Sequence, residues 1–152
     1  MHDGNLHESR RMAAASGSLQ GMKSVQMMIR PRYCECDPMG VAHHSAYPIW
    51  FEMGRTELLR STGTTYRDLE AEGVFLAVVR LDVRYKRPAL YDDELTLETE
   101  LVSVGRVKIE HEYRLLRDDV LLATGRTTLA CLDGDGSARA LPEFLQATSD
   151  AS

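Results

Sequence analysis

Residues 37–60 read DPMGVAHHSAYPIWFEMGRTELLR, a short loop that runs into a long amphipathic segment. Apolar side chains recur along that segment at spacings of three and four residues, at Ile49, Trp50, Met53 and Leu59. Pro48 falls in the first turn, where a helix tolerates proline. The pattern predicts one long helix over about residues 46–60, followed by a shorter one over about residues 66–71 that ends at Gly73.

The segments on either side of these helices alternate apolar and polar residues, which is typical of strands with one buried face. A first strand is predicted around residues 25–29, and four more around residues 81–85, 95–101, 107–115 and 122–131, with a slip in the alternation near Gly125. The turns between the later strands are too short for parallel crossovers, so these strands are antiparallel. The sequence predicts an α+β fold in which one long helix is wrapped by a curved five-stranded antiparallel sheet.

Length and composition fit a single domain with its own core, because the 152 residues are 43% hydrophobic. We expect this domain to occupy residues 23–147. Residues 1–22 are polar or small without an apolar period, which predicts a disordered N-terminal tail and makes Met22 a candidate start. Residues 148–152 are predicted to be a flexible C-terminus.

Charge and cysteine usage narrow the class of protein. The chain has 18 Lys plus Arg against 23 Asp plus Glu and no basic block, so a nucleic-acid partner is not expected. No apolar run is long enough for a membrane span, and the three cysteines fit reduced thiols in the cytoplasm. Cys34 and Cys36 are predicted to be strand residues, since their spacing is shorter than that of metal or redox motifs.

The loop before the long helix contains groups that suit acyl chemistry. A carboxylate, Asp37, stands at its start, Gly40 permits a tight backbone path, and the helix that opens after His44 presents unpaired amides, those of His44 and Ser45, at the positive end of its dipole. Such amides stabilise a developing oxyanion. Asp37 is then a nucleophile that attacks a thioester carbonyl or a general base that activates water, and a purely local alternative is that it caps a turn ahead of Pro38.

A wider pattern carries a family resemblance. The spacing Asp37-x-x-Gly40-Val41-x-x-His44-x-x-Tyr47, followed by Phe51-Glu52 and RTELLR at residues 55–60, resembles the 4-hydroxybenzoyl-CoA thioesterase-like branch of the hotdog superfamily. That branch includes the short-chain acyl-CoA thioesterases encoded beside the Tol-Pal system. The resemblance covers roughly residues 25–146 and departs from the usual pattern at Ala46, where asparagine is common, and at Pro48.

The resemblance implies an acyl-CoA thioesterase that releases free acid and CoA from an acyl or aroyl thioester. It makes Asp37 the catalytic carboxylate, places the backbone amide of His44 at the thioester carbonyl, and makes Tyr33 an accessory site residue, although Tyr33 also fits a buried strand aromatic. The phosphates of CoA call for cations, and Lys86, Arg87 and Arg106 are the candidates, with plain solvated charges as the alternative.

The same resemblance implies no metal and no organic cofactor. The adjacent His43 and His44 are expected to point in different directions, and His111 is expected to be a hydrogen-bonded core or interface histidine. An uncovered sheet edge predicts a homodimer, with a dimer of dimers, a homotetramer, as its extension.

Two other functions remain compatible with the sequence. A hotdog dehydratase or hydratase would need a different histidine and acid pair, and an acid that precedes the helix favours hydrolysis instead. A non-catalytic module that binds acyl-CoA or acyl-carrier protein would use the same fold without turnover, and the presence of Asp37 argues against it.

Overall fold

The computed structural model describes residues 23–146, so the predictions for the N-terminal tail and for residues 148–152 lie outside it. Its strands are β1 (Ser24–Ile29), β2 (Phe75–Tyr85), β3 (Leu95–Val104), β4 (Lys108–Arg117) and β5 (Val120–Leu132). Its helices are α1 (Ala46–Ser61), α2 (Tyr66–Ala71) and α3 (Glu143–Gln146), with a 3-10 turn at Tyr33–Glu35. The predicted order of strand, two helices and four strands is confirmed, and α3 is an addition that the sequence analysis did not predict.

The five strands form one antiparallel sheet in the order β1-β3-β4-β5-β2. The long helix α1 packs on one face of this sheet, mainly against β1 and β3. This is the helix-and-sheet arrangement that the hotdog resemblance predicts. Strands β1 and β2 each pair on one side only, which leaves two sheet edges in the single chain.

The helix α1 packs close to the sheet because a glycine of the helix faces the sheet and a glycine of the sheet faces the helix. A Cβ atom at Gly54 of α1 would lie 2.2 Å from Oγ1 of Thr99, and one at Gly125 of β5 would lie 2.2 Å from the ring of Phe51. The Phe51 ring instead stacks on Tyr113, with ring centroids 4.3 Å apart. Only glycine fits at both positions, so α1 is held against the sheet at a short distance.

The predicted slip of β5 occurs, but it is misplaced by three residues. The register shift between β4 and β5 leaves Leu122 without a partner in β4, and Leu122 and the adjacent Ala123 are both buried. From Ala123 onward every second residue is buried, and the pairing runs through Gly125 without a shift on both sides. Two further register shifts lie at Val78/Arg80 and at Leu101/Ser103.

The predicted strand conformation of Cys34 and Cys36 is also wrong. Cys34 lies in the 3-10 turn, and Cys36 forms only an isolated bridge with Ala42. The turn forms because the carboxylate of Glu35 accepts a hydrogen bond from the backbone amide of Arg32, three residues earlier, at 2.8 Å. This side-chain bond ends the extended segment that begins with β1.

An apolar cluster joins the C-terminal end of α1 to α2, α3 and the sheet. Its buried members are Leu59, Leu69, Val74, Ile109, Cys131, Leu141 and Leu145.

Among residues 23–146, no helix is long and apolar enough to cross a membrane.

His111 of β4 is buried at this end of the molecule. The expectation that it is hydrogen-bonded fails at one ring nitrogen, since Nδ1 has no partner within the described residues. Burial, and to a smaller extent the charge of Arg55, lowers the pKa of His111 to about 3. The imidazole is therefore neutral in the folded protein at any pH near neutrality.

We expect His111 to make the protein less stable as the pH falls. The unfolded chain takes up a proton near the ordinary pKa of 6.5 while the folded chain does not until about 3. The free energy of unfolding should therefore decline between these two values by up to about 1.4 kcal/mol per pH unit from this residue. Urea denaturation of wild type and His111→Phe at several pH values measures the effect, and equal pH slopes in the two proteins would contradict it.

Candidate active site

Asp37 does form the capped turn that the local alternative predicts. Its Oδ1 accepts hydrogen bonds from the backbone amides of Met39 at 2.8 Å and Val41 at 3.3 Å. Its main chain pairs with Val41 and Gly40, and Gly40 adopts a φ of 77°, which glycine tolerates best. The other carboxylate oxygen, Oδ2, has no donor among residues 23–146, and the residue is partly exposed.

The same turn occurs a second time, between Asp133 and Ser137. The Oδ1 atom of Asp133 accepts from the amides two and four residues later, at 2.9 and 3.1 Å, and Gly136 has a φ of 81°. This copy follows β5, and within residues 23–146 it is followed only by the four-residue helix α3. The turn alone therefore does not define a site, and the distinguishing feature of Asp37 is its position just before α1.

The segment between Asp37 and α1 offers one free amide. The amides of Ala42, His43 and Ala46 donate to main-chain oxygens, whereas the amide of His44 has no acceptor within the described part of the chain. The amide of Ser45 donates to Nδ1 of His43 at 3.2 Å. Both amides were predicted as oxyanion donors, and the resemblance implied that of His44 in particular. Within residues 23–146 the amide of His44 is the one of the two that has no acceptor.

His43 and His44 do not point apart as expected. Their ring centroids are 4.0 Å apart and the rings are tilted by 36°. Both residues lie in the turn before α1 rather than inside the helix, and Nδ1 of His43 is fixed 2.7 Å from Oγ of Ser45. Within residues 23–146, no group of three His, Cys, Asp or Glu side chains is arranged to hold a metal ion.

Two tyrosines fix the start of α1. The hydroxyl of Tyr85, the last residue of β2, donates to the main-chain oxygen of His44 at 2.9 Å. Tyr47 is buried between Trp50 and Tyr85, with ring centroids 4.9 and 4.8 Å away, so it is a packing residue. The carbonyl of His44 and the amide of Ser45 belong to one peptide group, so Tyr85 orients that group directly. The alternating pattern of β2 gave no sign of this contact.

Tyr33 lies on the same loop but not in the core. It is 83% exposed and meets Tyr91 edge to face, with centroids 5.8 Å apart, so its alternative role as a buried strand aromatic is wrong. Its position in the exposed turn before Asp37 is compatible with the accessory role that the resemblance implies.

The three candidate cations fall into two places. Lys86 and Arg87 directly follow Tyr85, and both donate their amides to Leu122, so they lie at the end of the sheet where α1 begins. Arg106 lies in the turn between β3 and β4, at the opposite end of the sheet. One chain therefore brings Lys86 and Arg87 toward the Asp37 loop but not Arg106.

Glu35 is a residue beside the site that no sequence pattern indicated. The residue as a whole is 8% exposed, and its Oε2 accepts a hydrogen bond from the indole nitrogen of Trp50 at 2.9 Å. Burial raises its pKa, but the bonds from Arg32 and Trp50 outweigh burial and hold the pKa below the ordinary value. A buried charge two residues before Asp37 could not be distinguished by sequence from the exposed carboxylates around it.

Comparison with known proteins gives a consistent result. The family model of the thioesterase-like superfamily matches residues 31–149. The chain is 31% identical over 121 residues to the acyl-CoA thioester hydrolase YbgC of Escherichia coli O6:H1, a match that covers 78% of this chain and 90% of that protein. It is 34% identical over 87 residues to YneP of Bacillus subtilis, which spans 57% of this chain and 63% of YneP. A solved structure, the DHNA-CoA thioesterase of Staphylococcus aureus, superposes with a TM-score of 0.77 at 28% identity, over 84% of this chain and 87% of that chain.

The turn at Asp37 can be tested separately from any chemistry. We expect Asp37→Ala to lower the free energy of unfolding by about 1 kcal/mol, because it removes the acceptor for two amides. Asp37→Asn keeps an acceptor oxygen and should remain within about 0.5 kcal/mol of wild type. Urea denaturation measures both, and equal losses in the two variants would contradict this assignment.

Proposed function

The chain belongs to the thioesterase-like superfamily, and from this membership we propose that it hydrolyses acyl-CoA thioesters at the Asp37 loop and the start of α1. The proposal is based on two groups on one short segment in front of a long helix: Oδ2 of Asp37, which has no donor among residues 23–146, and the amide of His44, which has no acceptor among them. The names of the relatives support a thioester substrate, and the loop supplies the two groups that its hydrolysis needs.

In the proposed reaction the His44 amide stabilises the developing negative charge, and Asp37 attacks the carbonyl carbon or activates water. The amide of His44 donates a hydrogen bond to the thioester oxygen, which gains negative charge as the carbonyl carbon becomes tetrahedral. The positive end of the α1 dipole stabilises the same charge. A backbone donor of this kind typically contributes two to three orders of magnitude in rate.

Asp37 has two chemically complete roles. As a nucleophile, its carboxylate attacks the carbonyl carbon, the C–S bond breaks, CoA leaves as the thiolate, and water then hydrolyses the mixed anhydride. As a general base, it takes a proton from water while the water oxygen attacks, and the proton passes on to the leaving thiolate. Both routes convert thioester and water into free acid and CoA. Tyr33 is proposed to be an accessory residue at the exposed side of the loop.

Lys86 and Arg87 are proposed to contact the phosphates of CoA. They are exposed, follow Tyr85, and lie at the end of the sheet where α1 begins. Arg106 could contribute only from a second copy, because in its own chain it lies at the other end of the sheet. If two chains pair antiparallel through their β2 edges, the end of the second sheet that carries the β3–β4 turn would lie toward the site of the first chain.

A homodimer through β2 is proposed for a second reason. This strand is unpaired on one side and exposes large apolar side chains, at Phe75, Val78, Val79, Leu81 and Tyr85. Exposed apolar edges of this kind pair with another chain unless they are protected. Pairing would also cover Tyr85, which orients the peptide group after His44. A dimer of dimers, and location in the cytoplasm, remain predictions.

The main alternative is a module that binds acyl-CoA or acyl-carrier protein without turnover. It would use the same fold and the same amide of His44 to hold a carbonyl oxygen, but it would not need a carboxylate oxygen left free of donors. A hotdog dehydratase is the less favoured enzyme, since the carboxylate that the structure places beside α1 belongs to the preceding loop.

We expect Asp37→Asn to lower thioesterase turnover by roughly a hundredfold or more, because the variant keeps the turn but loses the carboxylate. Release of free thiol from benzoyl-, short-chain and long-chain acyl-CoA measures turnover and identifies the preferred acyl group. Asp133→Asn is the matched control, since it changes the same turn at a place without a helix start. Equal activity of wild type and Asp37→Asn would rule out Asp37, and no turnover by wild type would favour the binding module.

The dimer proposal predicts a solution mass of twice the 17.1 kDa chain, or four times if dimers associate. Val79→Glu should reduce this mass toward that of the monomer, because it places a charge on the apolar edge of β2. Met28→Glu on the other edge strand is the control and should leave the mass unchanged. Light scattering after size exclusion measures all three proteins, and a wild-type monomer would contradict the proposal.

A further inference from the structure

Glu35 is a carboxylate that the described chemistry does not use. Its side chain is only 6% exposed, and a buried charge is unfavourable unless hydrogen bonds replace its hydration. Its Oε1 accepts from the backbone amide of Arg32 at 2.8 Å and lies 3.2 Å from Nε of the same residue. With the Trp50 indole on Oε2, three donors hold the carboxylate.

These bonds connect the loop to the helix. Trp50 belongs to α1 and is itself buried. The main-chain oxygen of Glu35 accepts from the amide of His43 at 2.7 Å. One residue therefore joins α1 through its side chain and, through its main chain, the residue that precedes His44.

Glu35 also lies two residues before Asp37 in the chain. Any displacement of the Glu35 backbone is thus passed to Asp37 on one side and to His44 on the other. Both oxygens of Glu35 are already bonded and shielded from solvent, so a reactive role for Glu35 itself is not supported. Asp37 has the opposite arrangement, because its Oδ2 receives no hydrogen bond from the part of the chain that the structure describes.

We propose that Glu35 is a positioning residue for thioester hydrolysis, whose bonds to Trp50 and Arg32 fix the Asp37 loop on α1 and keep the Asp37 carboxylate and the His44 amide at one spacing. This inference rests on the proposed function. Catalytic groups that shift by about 1 Å lose up to about a hundredfold in rate. We expect the loss in kcat rather than in KM, because Lys86 and Arg87, which are proposed to contact the phosphates of CoA, lie on another segment of the chain.

Two variants test the contact between Glu35 and Trp50. Glu35→Gln keeps the shape but turns an N–H group toward one of the donors, and Trp50→Phe removes the indole donor. We expect each to lower kcat by about tenfold to a hundredfold and to change KM by less than about threefold. The double variant should fall no further than the worse single one, because both remove one interaction. Glu35→Asp keeps the charge on a shorter side chain and should recover part of kcat.

Tyr113→Phe is the matched control for lost stability. It removes a buried hydrogen bond between Tyr113 and Thr127, 2.7 Å long, within the sheet. We expect it to lower the melting temperature but to keep kcat. If Glu35→Gln retains kcat within about twofold of wild type, as this control does, Glu35 is a structural residue only and the proposal is overturned.

Hydrogen exchange provides a readout that needs no turnover. In Glu35→Gln, backbone amides of residues 37–45 should exchange faster than in wild type, while those of β4 and β5 stay unchanged. Tyr113→Phe should not speed exchange in residues 37–45. Unchanged exchange there in Glu35→Gln would overturn the proposal, whereas absence of wild-type turnover with faster exchange would leave Glu35 holding the loop and overturn the proposed function instead. If Glu35→Gln does not fold, Trp50→Phe is used for the same comparison.

Discussion

The close packing of α1 on the sheet determines where the groups of the proposed site lie. Gly54 and Gly125 leave no room for a Cβ atom, so the helix cannot slide or rotate on the sheet without a steric clash. Because the helix is fixed along its length, its N-terminal end is fixed as well. That end lies beside the last residues of β2, where Tyr85 contacts the carbonyl of His44. The packing of α1 therefore fixes the start of the helix and, with it, the short segment that carries the His44 amide.

The loop before α1 places a second group, the carboxylate of Asp37, just ahead of the N-terminal end of the helix. The turns at Asp37 and Asp133 have the same hydrogen bonds and the same glycine conformation, yet only the first stands in front of a long helix. The local sequence determines the conformation of each turn, and the fold determines where each turn lies. The buried bond between Glu35 and Trp50 then ties that turn to the helix surface. Thioester hydrolysis as proposed needs all three features together.

Sequence patterns predicted most elements because most have a clear apolar period. The exception is β2, which was predicted only over residues 81–85 but begins at Phe75 and has no buried residue in the single chain. The bounds of α1 and α2 follow from residue spacing and from Gly73, and the alternation of the strands indicated an antiparallel sheet. The errors occur where side chains act outside that period. The slip in β5 lies at the extra residue Leu122 rather than at Gly125, and Glu35 ends an extended segment through its own carboxylate. The difference between the His44 and Ser45 amides depends on where the His43 ring lies, which no pattern encodes. The distance of Arg106 from Lys86 depends on strand order, which only the folded sheet reveals.

The proposed mechanism requires the thioester carbonyl to bind between the His44 amide and the Asp37 carboxylate. A crystal structure of the Asp37→Asn variant with an acyl-CoA analogue that contains a ketone in place of the thioester would show where this carbonyl lies. We expect its oxygen at about 2.7–3.1 Å from the His44 backbone nitrogen, with the side chain of residue 37 facing the carbonyl carbon. A carbonyl bound away from the start of α1, or one with its oxygen directed at another donor, would contradict it.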